Sequence, residues 1–362
     1  MRLVTYEVKT PIGAMRRTGL LRNNDTEVID LNNAYQWLAR ERGSQRWTEE
    51  ASYVTPTDMI AFLERGDVAM KAGRDILAAL RGAPTAPNGA PIVLARKDVK
   101  LLAPVPRPRS IREHSTWEDH MSSRLPPGEA PKDQFFYKFP SAYKGNPASV
   151  TGPEDPIPYP YYTHWLDPEP ELGIYVGKHG RDLSIEKAAE HVAGYTIFID
   201  TSARDVGGAR EPFGPYKHKD FHNAMGPCIV TPDEFNERDA KVTVKINGET
   251  VFEGNTGHRR QFWSPTVLAY DSDNEDVFPG DFSGMGTVGK GAAMDTGRFV
   301  KPGDIWEVTI QGIGTMRLPI VEQKAVVTWV RDGLPSDLKP HANAPDGNPP
   351  ADLSARFGKP LH

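Results

Sequence analysis

Leu166-Asp167-Pro168-Glu169-Pro170-Glu171-Leu172-Gly173-Ile174-Tyr175-Val176 carries the pattern on which the rest of the chain turns. From Glu171 to Val176 the residues have the apolar character of a strand. Residues two apart on a strand share a face, so Glu169 and Glu171 aim two carboxylates at one point. Pro170 between them suits a sheet edge or a strand entrance, because it has no N–H to give to a ladder. Read alone, the pair fits a solvated strand face as well as a metal site.

Working outward, Ser184 caps a helix expected over Ile185 to Val192 and closed by Gly194. A second strand, Tyr195 to Asp200, runs into Asp200-Thr201-Ser202-Ala203-Arg204-Asp205. An aspartate closing an apolar strand either caps the next turn, with Arg204 as a local ion-pair partner, or stands at the mouth of a site. Upstream, Ser110-Ile111-Arg112-Glu113-His114-Ser115-Thr116-Trp117-Glu118-Asp119-His120 gathers carboxylates and imidazoles. Such a segment is either an exposed helical face or a source of a metal ligand and a general base. Downstream, Val242, Val244 and Ile246 alternate into Asn247-Gly248, then Thr250 and Phe252, the pattern of a type I′ hairpin. Trp306, Val308 and Ile310 form one later strand, and Val326, Thr328 and Val330 another.

The leading residues, 1–103, read as a small α+β domain. A strand over Leu3 to Val8 is followed by two short strands around Asn23-Asn24-Asp25. A helix runs from Leu31 to Gly43, and Gly66 splits the helical spacing of Asp58 to Leu80 into two helices. Residues 104–331 form the main domain. Residues 332–362, rich in Pro, Asp, Ala and Asn, read as an extended tail.

The chain has 362 residues, 38% hydrophobic and 25% charged, as globular proteins do. With 33 Gly and 33 Pro, many short turns are expected, which favours a β-rich fold over a helix bundle. A net charge of -5 argues against a general nucleic-acid binder. No signal peptide and no long apolar run for a membrane span are visible. One cysteine, Cys228, excludes an internal disulfide and makes the cytoplasm the expected compartment. Within Gly226-Pro227-Cys228-Ile229-Val230 it reads as a buried structural thiol.

Together these segments resemble the fumarylacetoacetate hydrolase family over most of residues 104–331. The family's Glu-x-Glu strand, its Val-x-Gly-Tyr-Thr strand and its Asp-x-Ser/Thr-Ala-Arg-Asp motif match Glu169-Pro170-Glu171, Val192-Ala193-Gly194-Tyr195-Thr196 and Asp200 to Asp205 in order and spacing. Lys219, Gly226-Pro227, Asn247-Gly248-Glu249, Pro279-Gly280-Asp281 and Gly286-Thr287 continue the match. Two departures stand out: Gly207 replaces a common Gln, and Ser123 stands where a shorter branch has Glu after the catalytic His.

The resemblance implies an α+β protein with a β-rich mixed sandwich-roll catalytic domain, acting as a homodimer. It implies a divalent ion held by Glu169, Glu171 and Asp200, with Glu113 as fourth ligand. All-oxygen ligation suits Mg²⁺, or Mn²⁺ or Ca²⁺, better than zinc. It further implies His120 as the base; because Ser123 departs from the family pattern, Glu118 is the candidate carboxylate that assists it. Tyr143, Arg204, Lys219 and Thr287 would contact the substrate, with Lys219 and Arg204 also supplying charge in the reaction. Residues 110–125 would form a lid. The implied reaction is hydrolysis of a C–C bond in a carboxylated 1,3-dicarbonyl, fumarylacetoacetate- or acylpyruvate-like. The alternatives on the same site are decarboxylation of a 2-oxo diacid such as oxaloacetate and keto–enol isomerisation. A non-catalytic, metal-organised scaffold is the reading from another class.

Overall fold

The computed structural model describes residues 1–123, 134–206 and 214–323. Gly207, the strand expected at Val326 to Val330 and the tail from 332 lie outside the described residues.

Two sheets organise the chain. The 12-stranded sheet runs, in order, Val93–Ala95, Glu27–Asp30, Gly13–Arg22, Arg2–Thr10, Asn223–Val230, Val192–Ala203, Leu166–Val176, Phe282–Thr287, Ile111–His114 and Ala142–Gly145. Lys100–Leu101 pairs with Arg2–Thr10, and Val150–Thr151 pairs with Asn223–Val230. The 5-stranded sheet runs Glu249–Asn255, Lys241–Ile246, Ile305–Ile310, Gly314–Glu322 and Ile157–Tyr159.

The large sheet is covered on both faces, and side-chain alternation assigns residues to each. Val4, Ile174, Ile197, Ile199 and Cys228 pack with Val242, Val244, Trp306 and Val308 of the small sheet. Leu3, Tyr175, Phe198, Ile229 and Phe282 pack on the other face with Leu31, Leu38, Phe62 and Ile76 of the leading helices. Cys228 is buried as expected, and burial pushes its thiol up to about 12.

The leading segment is thus α+β, but it shares its sheet and core with the rest. Leu3 pairs with Ile229 across the boundary. Asp30 caps the helix Leu31–Glu41, and Gly66, at φ 54°, separates Met59–Glu64 from Asp67–Ala79. A further helix, Trp47–Val54, was not legible from its spacing.

Two expectations are corrected. The helix capped by Ser184 ends at Ala189, and Gly194 lies within the following strand. Its role is close approach rather than helix termination: a Cβ there would lie 2.3 Å from the Val230 carbonyl oxygen. The segment expected to be a lid is also partly sheet. Ile111–His114 lies parallel to Phe282–Thr287 and antiparallel to Ala142–Gly145, and a short helix, Glu118–Ser122, follows.

His222 is buried between Thr151 (Nε2 to Oγ1, 2.9 Å) and Thr201 (Nδ1 to Oγ1, 3.2 Å). Burial pushes the imidazole down to about 4, against the opposing pull of Asp155. The unfolded chain therefore takes up a proton near the ordinary histidine value, while the folded chain does not until about 4. Stability should fall as pH drops through that window, by on the order of 3 kcal/mol from this group. The expected result is a larger loss of Tm in the wild type than in His222→Gln between about pH 7 and about pH 5. Parallel losses would contradict it.

Candidate metal centre

The central strand Leu166–Val176 alternates Asp167, Glu169 and Glu171 on one face with Leu166, Leu172, Ile174 and Val176 directed to the core. Across the ladder, Ser202, Asp200 and Phe198 stand opposite Asp167, Glu169 and Glu171 in turn. The carboxylates therefore extend the row of apolar side chains on the helix-covered face. On its other side, pairing of the strand with Phe282–Thr287 reaches only as far as Glu171. Pro168 and Pro170 lie beyond that ladder, where a missing N–H costs nothing.

A shift of register between Glu171 and Gly173 inserts an extra residue in the Phe282–Thr287 strand. There Gly286, at φ 94°, turns its N–H onto Glu171 Oε2 at 3.1 Å. Gly284 leaves the space this carboxylate fills, since a Cβ there would lie 3.0 Å from Glu171 Oε2. Glu113 enters from the neighbouring strand, where Tyr143 is its pairing partner.

The carboxylates divide into two groups. Glu113, Glu171 and Asp200 are all buried and each offers an oxygen within 4.8 Å of the others. Glu169 stands beside them, engaged by cations and hydroxyls. Its Oε2 accepts from Lys219 Nζ at 2.6 Å and Ser202 Oγ at 2.9 Å. Its Oε1 meets the Arg204 guanidinium and accepts from Thr287 Oγ1 at 2.8 Å. Lys219 also reaches Asp200 Oδ2, which accepts from the Tyr143 hydroxyl at 2.9 Å as well.

The electrostatics follow this division. Burial works against the Glu169 charge, but Arg204, Lys219 and His120 outweigh it and hold the carboxyl well below the usual range. Burial, and then Asp200, push Glu113 well above the usual range. Glu171 is pushed the same way by burial and then by Glu113. Asp200 is raised by burial and by Glu169, despite Lys219. At an effective dielectric near 20, each ionised pair at such separations costs roughly 3–4 kcal/mol. Asp200 Oδ1 is buried and has no hydrogen-bond partner among the described residues. Three crowded carboxylates with an unused acceptor are the donor set a hard divalent cation takes. Glu113, Glu171 and Asp200 are therefore the residues brought together, while Glu169 is adjacent and already neutralised.

The site also contains groups not anticipated. His120 Nδ1 lies 2.8 Å from Asp295 Oδ2, and its Nε2 lies 3.3 Å from Glu169 Oε1. Glu118, expected as the partner of His120, instead accepts from Arg259 at 2.6 Å and Gln261 at 3.0 Å. It opens the short helix on the side facing the 259–261 segment, so Asp295 replaces it as the carboxylate on the imidazole. Ser123 supports the pair by donating to the other Asp295 oxygen. Asp167 was also missed. Its oxygens bind Arg204 Nε at 2.8 Å and the N–H groups of Ala293 at 2.6 Å and Met294 at 3.1 Å. Strand parity with Glu169 could have flagged Asp167, and parity with Asp200 could have flagged Ser202. Nothing local to Asp295 could have paired it with His120.

The "Fumarylacetoacetate (FAA) hydrolase C-terminal" family profile matches residues 115–321. The chain belongs to the fumarylacetoacetate hydrolase family. It is 32% identical over 322 residues to the human protein named oxaloacetate tautomerase FAHD2A, mitochondrial, covering 87% of this chain and 90% of the relative. That relative's compartment gives no support to a cytoplasmic location, although no described helix is long and apolar enough to cross a membrane. The fold is shared with fumarylacetoacetate hydrolase from Exiguobacterium antarcticum, at TM-score 0.64 and 24% identity over 89% of this chain and 100% of that one. It is shared too with maleylpyruvate hydrolase from Sphingobium sp. SYK-6, solved with manganese(II) and pyruvate, at TM-score 0.61 and 20% identity over 90% and 100%. Proteins of this fold thus carry the names of hydrolases and tautomerases, and the chain is an enzyme of the fumarylacetoacetate hydrolase type.

Glu113→Gln and Glu171→Gln each remove charge from the crowded group. The metal-free Tm should hold or rise, because repulsion is relieved. In the wild type, Mn²⁺ or Mg²⁺ at about a hundredfold over Kd should add about 2.7 kcal/mol of stability. Thermal melts should show that gain reduced to near zero in both variants. Retention of the full metal-induced rise in either would contradict the assignment.

Proposed function

We propose that the chain catalyses metal-dependent keto–enol isomerisation of a 2-oxo carboxylate of the oxaloacetate type. The His120–Asp295 pair set against Glu169 at the edge of the acidic cluster supplies the acid–base group that this reading needs. Similarity to relatives named oxaloacetate tautomerase, at about a third identity over most of both chains, supports it.

The cluster of Glu113, Glu171 and Asp200, with Glu169 beside it, would hold Mg²⁺ or Mn²⁺. A divalent ion bound there supplies Lewis acidity to chelated carbonyl and carboxylate oxygens. The protein's own groups do the rest. An ionised Asp295 can only accept, so it keeps the proton on His120 Nδ1 and leaves Nε2 to take or return one. In enolisation, Nε2 takes the proton from the carbon beside the 2-oxo group and the imidazolium so formed gives it to the enolate oxygen; ketonisation runs the same two transfers in reverse. Lys219 and Arg204 hold Glu169 ionised and fixed, and Tyr143 orients Asp200. Thr287 also lines the site, donating to Glu169, and can turn to a substrate carboxylate.

Hydrolysis of a C–C bond in a carboxylated 1,3-dicarbonyl is the second reading. The same His120–Asp295 pair favours it, since an imidazole held by a buried carboxylate can deprotonate water as well as carbon. A product assay separates the readings: loss of the enol absorbance of oxaloacetate without pyruvate, CO2 or two-fragment cleavage is expected. Cleavage of an acylpyruvate with no enol turnover would overturn the isomerase reading. His120→Ala should lower kcat about 10²–10⁴-fold while keeping the metal-induced rise in Tm. Unchanged turnover would remove His120 from the mechanism, and no turnover of any such substrate by the wild type would favour a binding scaffold.

A further inference from the structure

We propose that Asp167 is a positioning residue that locks Arg204 and the Asp295–His120 pair into one geometry; this rests on the isomerase reading above. Asp167 is fully buried on the face that carries Glu169 and Glu171. It stands outside the group of carboxylates that can share a cation. What it touches lies on two sides. On one, Arg204 Nε and Nη2 approach Oδ2 at 2.8 Å and 2.7 Å, and the same guanidinium contacts Glu169. On the other, it accepts from the N–H groups of Ala293 and Met294. Asp295 follows directly in that short helix, and its Oδ2 holds His120.

Asp167 thus fixes where Asp295 can stand without contacting His120 itself. It also shares Arg204 with Glu169, so the guanidinium cannot move toward the acidic cluster without losing a buried partner. Breaking one side of a buried charge pair is costly, which makes the arrangement stiff. The apolar packing of Trp165 against Phe299, together with Ala293 and Met294, backs the same short helix. A buried ion pair with only a structural role would lower stability and leave the imidazole environment as it is.

The test uses the full chain, with Asp167→Asn and Ala293→Pro. The first keeps the shape and removes the charge. The second removes the Ala293 N–H at the first helical position, where proline is well tolerated. The readouts are the downfield proton resonance of His120 Nδ1–H, the Mn²⁺ Kd, and kcat and KM with oxaloacetate. Both variants should shift the imidazole resonance, keep Mn²⁺ Kd within about threefold, and lower kcat about tenfold or more with KM little changed. Asp167→Asn added to Asp295→Asn should cost no more turnover than Asp295→Asn alone. A wild-type resonance in either folded variant, or losses that multiply, would overturn the proposal. If Asp167→Asn does not fold, the Ala293→Pro resonance decides. If the wild type does not turn over oxaloacetate, the resonance still tests Asp167 while the isomerase reading fails on its own.

Discussion

Buried carboxylates crowded on one sheet face, more of them than the cations among the described residues beside them, are the constraint around which this site is built. Glu113, Asp167, Glu169, Glu171 and Asp200 are all buried, and among the described residues Lys219 and Arg204 are the Lys and Arg side chains in ion-pair contact with them. Those two are spent on Glu169, Asp167 and one oxygen of Asp200. Glu113, Glu171 and the other Asp200 oxygen lie crowded together, and among the described residues that Asp200 oxygen has no hydrogen-bond partner. No fold tolerates that arrangement cheaply, because ions removed from water need partners. The sheet imposes it through period-two alternation on two adjacent strands and a bulge that aims the Gly286 N–H at Glu171.

The rest of the architecture serves to hold that face in place. Apolar side chains pack both sides of the large sheet, with the small sheet on one face and the leading helices on the other. The acidic row continues beyond Phe198 and Tyr175, so the same register that buries the core also buries the charges. A one-residue slip would exchange Glu169 and Glu171 for Pro170 and Leu172 on that face. Register is therefore protected by the core and by the site together.

Much of this was legible from short-range pattern. Strand parity puts Glu169 and Glu171 on one face and an apolar strand ends at Asp200, but it was the family resemblance of their order and spacing that singled them out as a site. The hairpin at Asn247-Gly248 follows from residues that accept positive φ, at 52° and 85°. What was not legible depends on long-range juxtaposition. Asp295 meets His120 across 175 positions of chain, so Glu118, near in sequence, looked the better partner. The fusion of the leading strands with the main sheet is likewise a tertiary fact, expressed in the pairing of Leu3 with Ile229. Glu169 was expected to be equivalent to Glu171; the cations that set it apart come from Lys219 and Arg204, which alternation on one strand cannot place.

Whether the chemistry ends in proton transfer or in bond cleavage, the account stands on one cation satisfying Glu113, Glu171 and Asp200 at once. Anomalous diffraction from crystals grown with Mn²⁺ tests this most directly. The account predicts one strong peak within bonding distance of all three carboxylates, with Lys219 still on Glu169. An empty cluster, with manganese bound elsewhere or not at all, would contradict it.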